Sequence, residues 1–514
     1  MTLVQSLTQR IGADHVLTDD SERNFYAHDV FRGGELPAAV VRPGTVEELQ
    51  DIIRLAHESA TPVITRGGGA SYTDAYRHIA PNGITIDTSR LTRIEINESR
   101  ATVTVEPGVT WAALREALAA KGFKTRFWGS YSGLFATVGG GMSMNAISHG
   151  QGSAADAVLA FDIITGTGEM VRTGSAISAK AVPFFRHYGP DLTGLFTGDC
   201  GALGVKARIT LALEAMPPAF ATASFSFDTF EAMHAAFQAT GLSCVVEENF
   251  GLSETLQQGQ LGKADVGAKI DMAGAIMKNA GSVTEGLGKL AKMAISGDRA
   301  IAAATYAGHF IVEGTDAAEA KAKIALVKKL CAEHGKEIPN SVPEVVRAMP
   351  FAPFHNVLGP KGERWVPIHT KLPHDQVVGF HNALLELWAR ERAVLDKYGI
   401  VTGGMFMAIG STAFVYEPAF YWPDAQTVYH ERIVDPDYRA GLPTYPANNE
   451  AEAEVTRIKA LVVDLMHDHG GIHSQIGRIY PYARDHDPIH WALLKSLKAQ
   501  LDPKNILNPG VLGL

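Results

Sequence analysis

The sequence predicts an α+β chain of two domains, and three observations predict it. Glycine clusters crowd its first 205 residues, a Pro217-Pro218 pair interrupts it, and beyond that pair short strands alternate with long amphipathic helices. Such alternation argues for a second domain built on an antiparallel sheet with helices packed against it. At 514 residues the chain has core enough for two or three domains.

The elements follow in order. Residues 1–35 read as a short helical lead-in that ends at Arg32-Gly33-Gly34. Ala38–Arg42 reads as a strand broken by Pro43, and Thr45 with Glu48 forms a capping-box pattern that opens a helix to about Glu58. Val46, Leu49, Ile52, Ile53 and Ala56 share one face of that helix. Thr61–Ile64 is a short strand, and a meander follows at Gly83–Asp87, Arg93–Asn97 and Ala101–Val105. The helix Thr110–Ala119 buries Trp111, Leu114, Ala117 and Leu118. Past the proline pair come the strand Ala221–Phe227 and the helix Thr229–Ala239. Three longer helices, Ala317–His334, His374–Tyr398 and Glu450–His469, each stop at a glycine. The strands among them are Gly308–Val312, Trp365–His369, Gly403–Ile409 and Ala413–Glu417.

Three glycine pieces carry the functional signal. Arg66-Gly67-Gly68-Gly69-Ala70-Ser71-Tyr72 follows a strand directly, and successive backbone N–H groups in such a turn form an anion nest suited to a pyrophosphate. Trp128 to Thr173 is the densest piece, with glycines at 129, 133, 139, 140, 141, 150 and 152 among small residues. Backbone of that kind can lie in contact with a large flat ligand. The third piece, Gly198-Asp199-Cys200-Gly201-Ala202-Leu203-Gly204-Val205, leads into a strand over Lys206–Leu213. Neither G-x-G-x-x-G nor G-x-x-x-x-G-K-[ST] is complete, so the Rossmann and Walker routes do not account for these pieces.

In this order and spacing, the three pieces resemble the vanillyl-alcohol-oxidase/p-cresol-methylhydroxylase flavoprotein superfamily, which includes FAD-linked glycolate and D-lactate dehydrogenase subunits. The likeness covers residues 36–215 and the closing motif Leu501-Asp502-Pro503-Lys504-Asn505-Ile506-Leu507-Asn508-Pro509-Gly510, and only loosely the middle. It implies a two-subdomain FAD-binding domain over 1–216, completed by 496–514, and a substrate or cap domain over 217–495. FAD would then touch Arg66, Gly67, Gly68, Gly69, Ala70, Ser71 and Tyr72. From the second piece it would touch Gly129, Ser130, Gly133, Ala136, Thr137, Gly139, Gly140, Ser143 and Asn145, and beyond it Gly204, Val205 and Asn508. The nest has no His or Cys, and Gly410–Ala413 lacks the attachment His of vanillyl-alcohol oxidase, so noncovalent FAD is expected; His149 is the nearest His in that domain.

The resemblance implies oxidation of an alcohol or 2-hydroxy acid by hydride transfer to flavin N5. A phenolic-alcohol oxidase, a non-redox flavin synthase or lyase, and the flavin subunit of an electron-transfer complex are the alternatives. Hydride removal leaves a hydroxyl proton to be taken, and His is suited to take it. His369 ends a strand and His473 follows a helix, so these two are the candidate bases. Arg478 and Tyr480 stand where relatives carry a Tyr/Arg pair, and Tyr416 lies on an aromatic strand. No metal is expected: G-H-x-G-D-G-N-x-H is missing, and His467 and His469 are two residues apart on a helix.

Composition narrows the partners. A net charge of −9 with pI near 6.1 argues against a nucleic-acid binder. Cys200, Cys244 and Cys331 are far apart and form no C-x-x-C, which suits a reducing compartment. The first 16 residues lack a signal-peptide pattern, and no apolar run reaches the roughly 18 residues of a membrane span. The expected setting is cytoplasmic, with a small-molecule substrate, an acceptor that is oxygen, a quinone or an electron carrier, and an assembly of identical chains. Residues 257–305, rich in Ala, Gly and Lys, read as a pair of cap helices or an oligomer contact; the sharper alternative is a lid or a peripheral membrane foot.

Overall fold

The computed structural model describes residues 2–127, 129–148, 152–261, 304–351, 353–484 and 486–514. Trp128, His149, Gly150 and nearly all of the 257–305 insert therefore lie outside the described residues. The described residues build a mixed four-stranded sheet, an antiparallel five-stranded sheet, a two-stranded pair and a large antiparallel sheet of eight strands, counting one short strand paired beside its edge. Among the described residues no helix is long and apolar enough to cross a membrane.

The first sheet runs in the order Val16–Leu17, Ala39–Val41, Ile84–Asp87, Val63–Arg66. Its last three strands are parallel, and the helix Val46–Glu58 makes the crossover between two of them. Thr45 caps that helix by accepting from Glu48 N at 3.1 Å. The Glu48 carboxylate reaches Gly44 N at 2.6 Å instead of the cap residue, so the box closes one residue early. Leu49, Ile52, Ile53 and Ala56 are all fully buried, as the helical spacing predicts.

The five-stranded sheet has the order Ile94–Asn97, Thr102–Val105, Val205–Ala212, Val158–Ile164, Met170–Arg172. Lying between its sheet strands in sequence, the densest glycine piece contains a short helix, Val138–Met144, capped by Thr137, whose Oγ1 accepts from Gly140 N. The small residues serve packing there. A Cβ on Gly141 would press on the Trp111 indole at 2.9 Å, and Trp111 is fully buried.

The large sheet runs Lys336–Ile338, Ala219–Phe227, Tyr306–Gly314, Glu248–Ser253, Val401–Ile409, Ala413–Trp422, Arg364–Pro367, with Thr370–Pro373 also paired to Ala413–Trp422. Helices Phe230–Ser243, Val377–Tyr398 and Asn449–Asp468 supply apolar residues to the core on one of its faces. The sequence-predicted strand Ala413–Glu417 continues to Trp422 despite Pro418. The proline falls where the outer neighbour changes from Thr370–Pro373 to Arg364–Pro367, so its missing N–H breaks no ladder there. The expected strand Trp365–His369 ends at Pro367, and the chain steps over to the second short strand. A further helix, Pro488–Leu501, precedes the closing motif.

Candidate functional site

A cavity of about 800 Å³ lies between the glycine pieces and the other face of the large sheet. Gly67–Tyr72 line it, as do Ser130, Ala136, Thr137, Gly139, Gly140, Ser143, Gly204 and Val205. The backbone there is drawn close by the absence of side chains. A Cβ on Gly68 would collide with the Phe135 carbonyl, and one on Gly67 with the Thr137 hydroxyl. Gly69 has φ +68°, a conformation that costs other residues energy. The amides of Gly68, Gly69, Ala70 and Ser71 donate to no acceptor among the described residues. N–H groups without protein partners on the lining of a cavity mark a place where a ligand can supply the acceptor. A phosphate-bearing cofactor fits this donor set.

Five of the residues expected to touch FAD support the cradle from behind. Arg66, 3% exposed, stacks its guanidinium over Phe25 at 4.6 Å, Tyr26 at 4.8 Å and Tyr76 at 5.2 Å. Gly129 and Gly133 pack against the Trp111 and Phe351 side chains. Asn145 ends the Val138–Met144 helix at φ +44°, and its Oδ1 accepts from Ala155 N at 3.2 Å. The Asn508 amide donates to the carbonyls of Ala75 and Cys200, each at 2.7 Å, so the closing motif ties together two segments that line the cavity.

The opposite wall is made by alternate residues of the sheet. Met405 and Met407 from Val401–Ile409 line it, as do Glu417, Ala419 and Tyr421 from Ala413–Trp422. Trp365 sits opposite Tyr421 across the strand pairing. Tyr72 closes on Trp365 edge-on, with ring centroids 5.7 Å apart. The intervening residues Phe414, Tyr416, Phe420 and Trp422 belong to the core on the other face.

The five residues expected to carry chemistry do not line this cavity. Tyr416 faces the helices, where its hydroxyl meets His381 Nδ1 at 2.9 Å. His369 is fully buried, and burial, reinforced by the charges of His473 and Lys371, pushes its pKa down to about 3. His473 spends Nδ1 on the His369 carbonyl at 2.8 Å and stacks on Tyr480 at 3.9 Å; burial lowers its pKa to about 4. The Tyr480 hydroxyl accepts from His369 N at 2.7 Å. These three therefore form one packed unit behind the wall. Arg478 donates to the carbonyls of Asp74, Arg77 and Pro509 and to Asn508 Oδ1, which ties the closing motif to the loop after the nest.

The group brought to the cavity instead is Glu417. Its carboxylate makes no hydrogen bond or ion pair with any described residue, and burial raises its pKa from 4.5 to about 7. Its charge in turn raises the pKa of Tyr72, Tyr421 and Tyr480, each already raised mainly by burial. Glu363 also lines the cavity, accepting from Lys361 N at 2.8 Å. The cations lining it among the described residues are Lys206, held by Asp199 at 2.5 Å, and the exposed Lys361. The sequence signal for Glu417 was a lone acid in the aromatic run FVYEPAFYW, the one position in it where a charge must find a reason to be enclosed.

Residues 37–174 match the family model described as FAD binding domain, and residues 439–512 match that of the C-terminal domain of FAD linked oxidases. Over these two stretches the chain carries an FAD binding domain and the C-terminal domain of FAD linked oxidases, and FAD is its cofactor. It is 29% identical over 223 residues to the mitochondrial D-lactate dehydrogenase [cytochrome] of Arabidopsis thaliana, covering 42% of this chain and 38% of that relative. The chain thus spans about half the length or less of the curated relatives it matches. In structure it is similar to p-cresol methylhydroxylase with substrate bound, at TM-score 0.73 and 17% identity over 100% of this chain and 96% of the other. It is also similar to alkyldihydroxyacetonephosphate synthase, at TM-score 0.69 and 15% identity over 99% and 84%. These two likenesses establish the fold.

Proposed function

We propose that this protein is an FAD-dependent oxidoreductase acting on a CH–OH group, with FAD held noncovalently. The observation that carries the reading is a cavity with two unlike walls. One wall is backbone with unpartnered N–H groups; the other is a sheet face with a carboxyl group that no described residue pairs. Bound FAD supplies an acceptor for the hydride that leaves the carbinol carbon. The chain's own residues do the rest. The nest amides of Gly68–Ser71 hold the pyrophosphate, and Glu417 takes the hydroxyl proton on a carboxylate oxygen. A pKa near neutrality suits that task, because the group is ionised often enough to accept and basic enough to drive transfer. Met405, Met407, Trp365 and Tyr421 exclude water around it.

The relative named D-lactate dehydrogenase supports a hydroxyl-bearing substrate. Anaerobic mixing of the holoprotein with a panel of hydroxy acids, phenolic alcohols and amino alcohols tests the reading. Loss of the visible flavin absorption with at least one of them is the expected result. A panel that leaves the flavin oxidised throughout, while product forms, would move the protein to the non-redox synthases.

A further inference from the structure

We propose that the sheet side of this cavity is a cation-binding box, and that the substrate carries a protonated or quaternary amine next to its carbinol. This rests on the oxidoreductase reading above and names the substrate class of the same site.

An ionised carboxylate enclosed by protein without a partner is costly, and folded chains normally pair it. Glu417 has no such partner among the described residues. Around it stand three aromatic residues: Tyr72 from the nest, Trp365 from Arg364–Pro367, and Tyr421 on its own strand. They are fixed relative to one another. Trp365 lies directly across the strand pairing from Tyr421, and the Tyr72 ring meets Trp365 at 5.7 Å. Glu363 adds a second carboxylate near Tyr421. Met405 lies directly across the strand pairing from Glu417 and contributes a polarizable thioether without charge. Electron-rich ring faces, soft sulfurs and carboxylates together attract cations. Trp and Tyr faces hold a cation most strongly where water is excluded.

The same wall is poorly suited to anions. A carboxylate substrate needs a free cation or a bidentate Arg. Among the described lining residues there is no Arg, Lys206 is already paired, and Lys361 sits exposed. An amino alcohol satisfies both demands on Glu417: one oxygen accepts the hydroxyl proton, and the other faces the ammonium that balances its charge.

The holoprotein is titrated with three probes, read by calorimetry and by the visible spectrum of the flavin, with no turnover required. The probes are benzyltrimethylammonium, its uncharged carbon isostere neopentylbenzene, and the anion mandelate. The cation is expected to bind at least about tenfold tighter than the isostere, a difference of about 1.4 kcal/mol. Glu417→Gln and Trp365→Leu should each remove most of that preference while flavin content and isostere affinity stay unchanged. Equal affinity for cation and isostere, or tighter binding of mandelate, would overturn the proposal. A cation preference that survives Glu417→Gln would overturn it as well. Because binding is read without turnover, a cation that binds while no alcohol reduces the flavin would refute the oxidoreductase reading and leave the box standing.

Discussion

Replacing Glu417 by Gln should make the protein more stable and less active at once, and the stability gain should depend on pH. Burial raises the carboxyl pKa from 4.5 to about 7 in the folded protein. The native state therefore holds this proton more tightly than the unfolded chain does. Stability associated with it is fully present below about 4.5 and is lost as pH rises through 7. A displacement of that size corresponds to roughly 3 kcal/mol at pH 8. Gln is neutral throughout and incurs no such loss.

The assay is urea unfolding of parent and variant holoprotein, followed by tryptophan fluorescence at pH 4.5 and pH 8. The variant should gain about 2–3 kcal/mol over the parent at pH 8 relative to their difference at pH 4.5. Flavin reduction by any productive alcohol should fall by about a hundredfold or more, the usual span for loss of a general base. A stability difference that is the same at both pH values would show that Glu417 is paired or solvated in the folded protein. The argument for a strained, functional carboxylate would then fail.

Three further outcomes follow from the site's geometry. Gly68→Asp should purify without flavin, since its Cβ would collide with the Phe135 carbonyl and its charge would face the pyrophosphate; absorbance per protein chain measures this, and a fully yellow variant rejects the placement. Acid precipitation should release all the FAD to the supernatant, whereas flavin fluorescence that migrates with the denatured polypeptide would show a covalent link. His369→Ala and His473→Ala should keep flavin-reduction rates within about threefold of the parent, because both rings pack behind the wall with lowered pKa values. A hundredfold loss in either would return the proton-accepting role to that histidine.

The glycine-lined wall of the cavity was legible in the sequence because its requirement is written in residue size. Where backbone lies in contact with backbone or with a buried indole, only glycine fits, as at Gly68 against Phe135 and Gly141 against Trp111. Helix faces were legible for the same kind of reason, since apolar side chains spaced at 3.6 residues place one stripe against the core. The chemistry was not legible. Within FVYEPAFYW, a strand that alternates faces, the sequence does not say which parity meets the cavity. Tyr416 was the candidate drawn from this strand, and the helices packed on one side decide that it points away and leaves Glu417 on the cavity face. His369 was misplaced by a different effect. The predicted strand would have carried it to an end facing the flavin, yet the strand stops at Pro367 and the chain steps to a new pairing partner, which leaves the imidazole enclosed.

The division of labour between the two walls has a consequence for how such a protein changes substrate. The glycine wall presents mostly backbone to the cavity, so on the proposed reading its side chains carry little information about what is oxidised. The sheet wall is the reverse. On Ala413–Trp422, Tyr416, Phe420 and Trp422 anchor the core, while Glu417, Ala419 and Tyr421 face the cavity and Val415, of the same parity, is buried beside Met407 and Ile147. Substitutions at 419 and 421 can thus alter the shape of the cavity beside Glu417 without disturbing the packing that holds the strand in place. Ala419 is the point of greatest leverage. It sits between Glu417 and Tyr421 on the same face, and a larger side chain there would fill the space between the carboxylate and the aromatic ring. The box would close to a bulky trimethylammonium while the nest, and with it FAD retention, stayed intact.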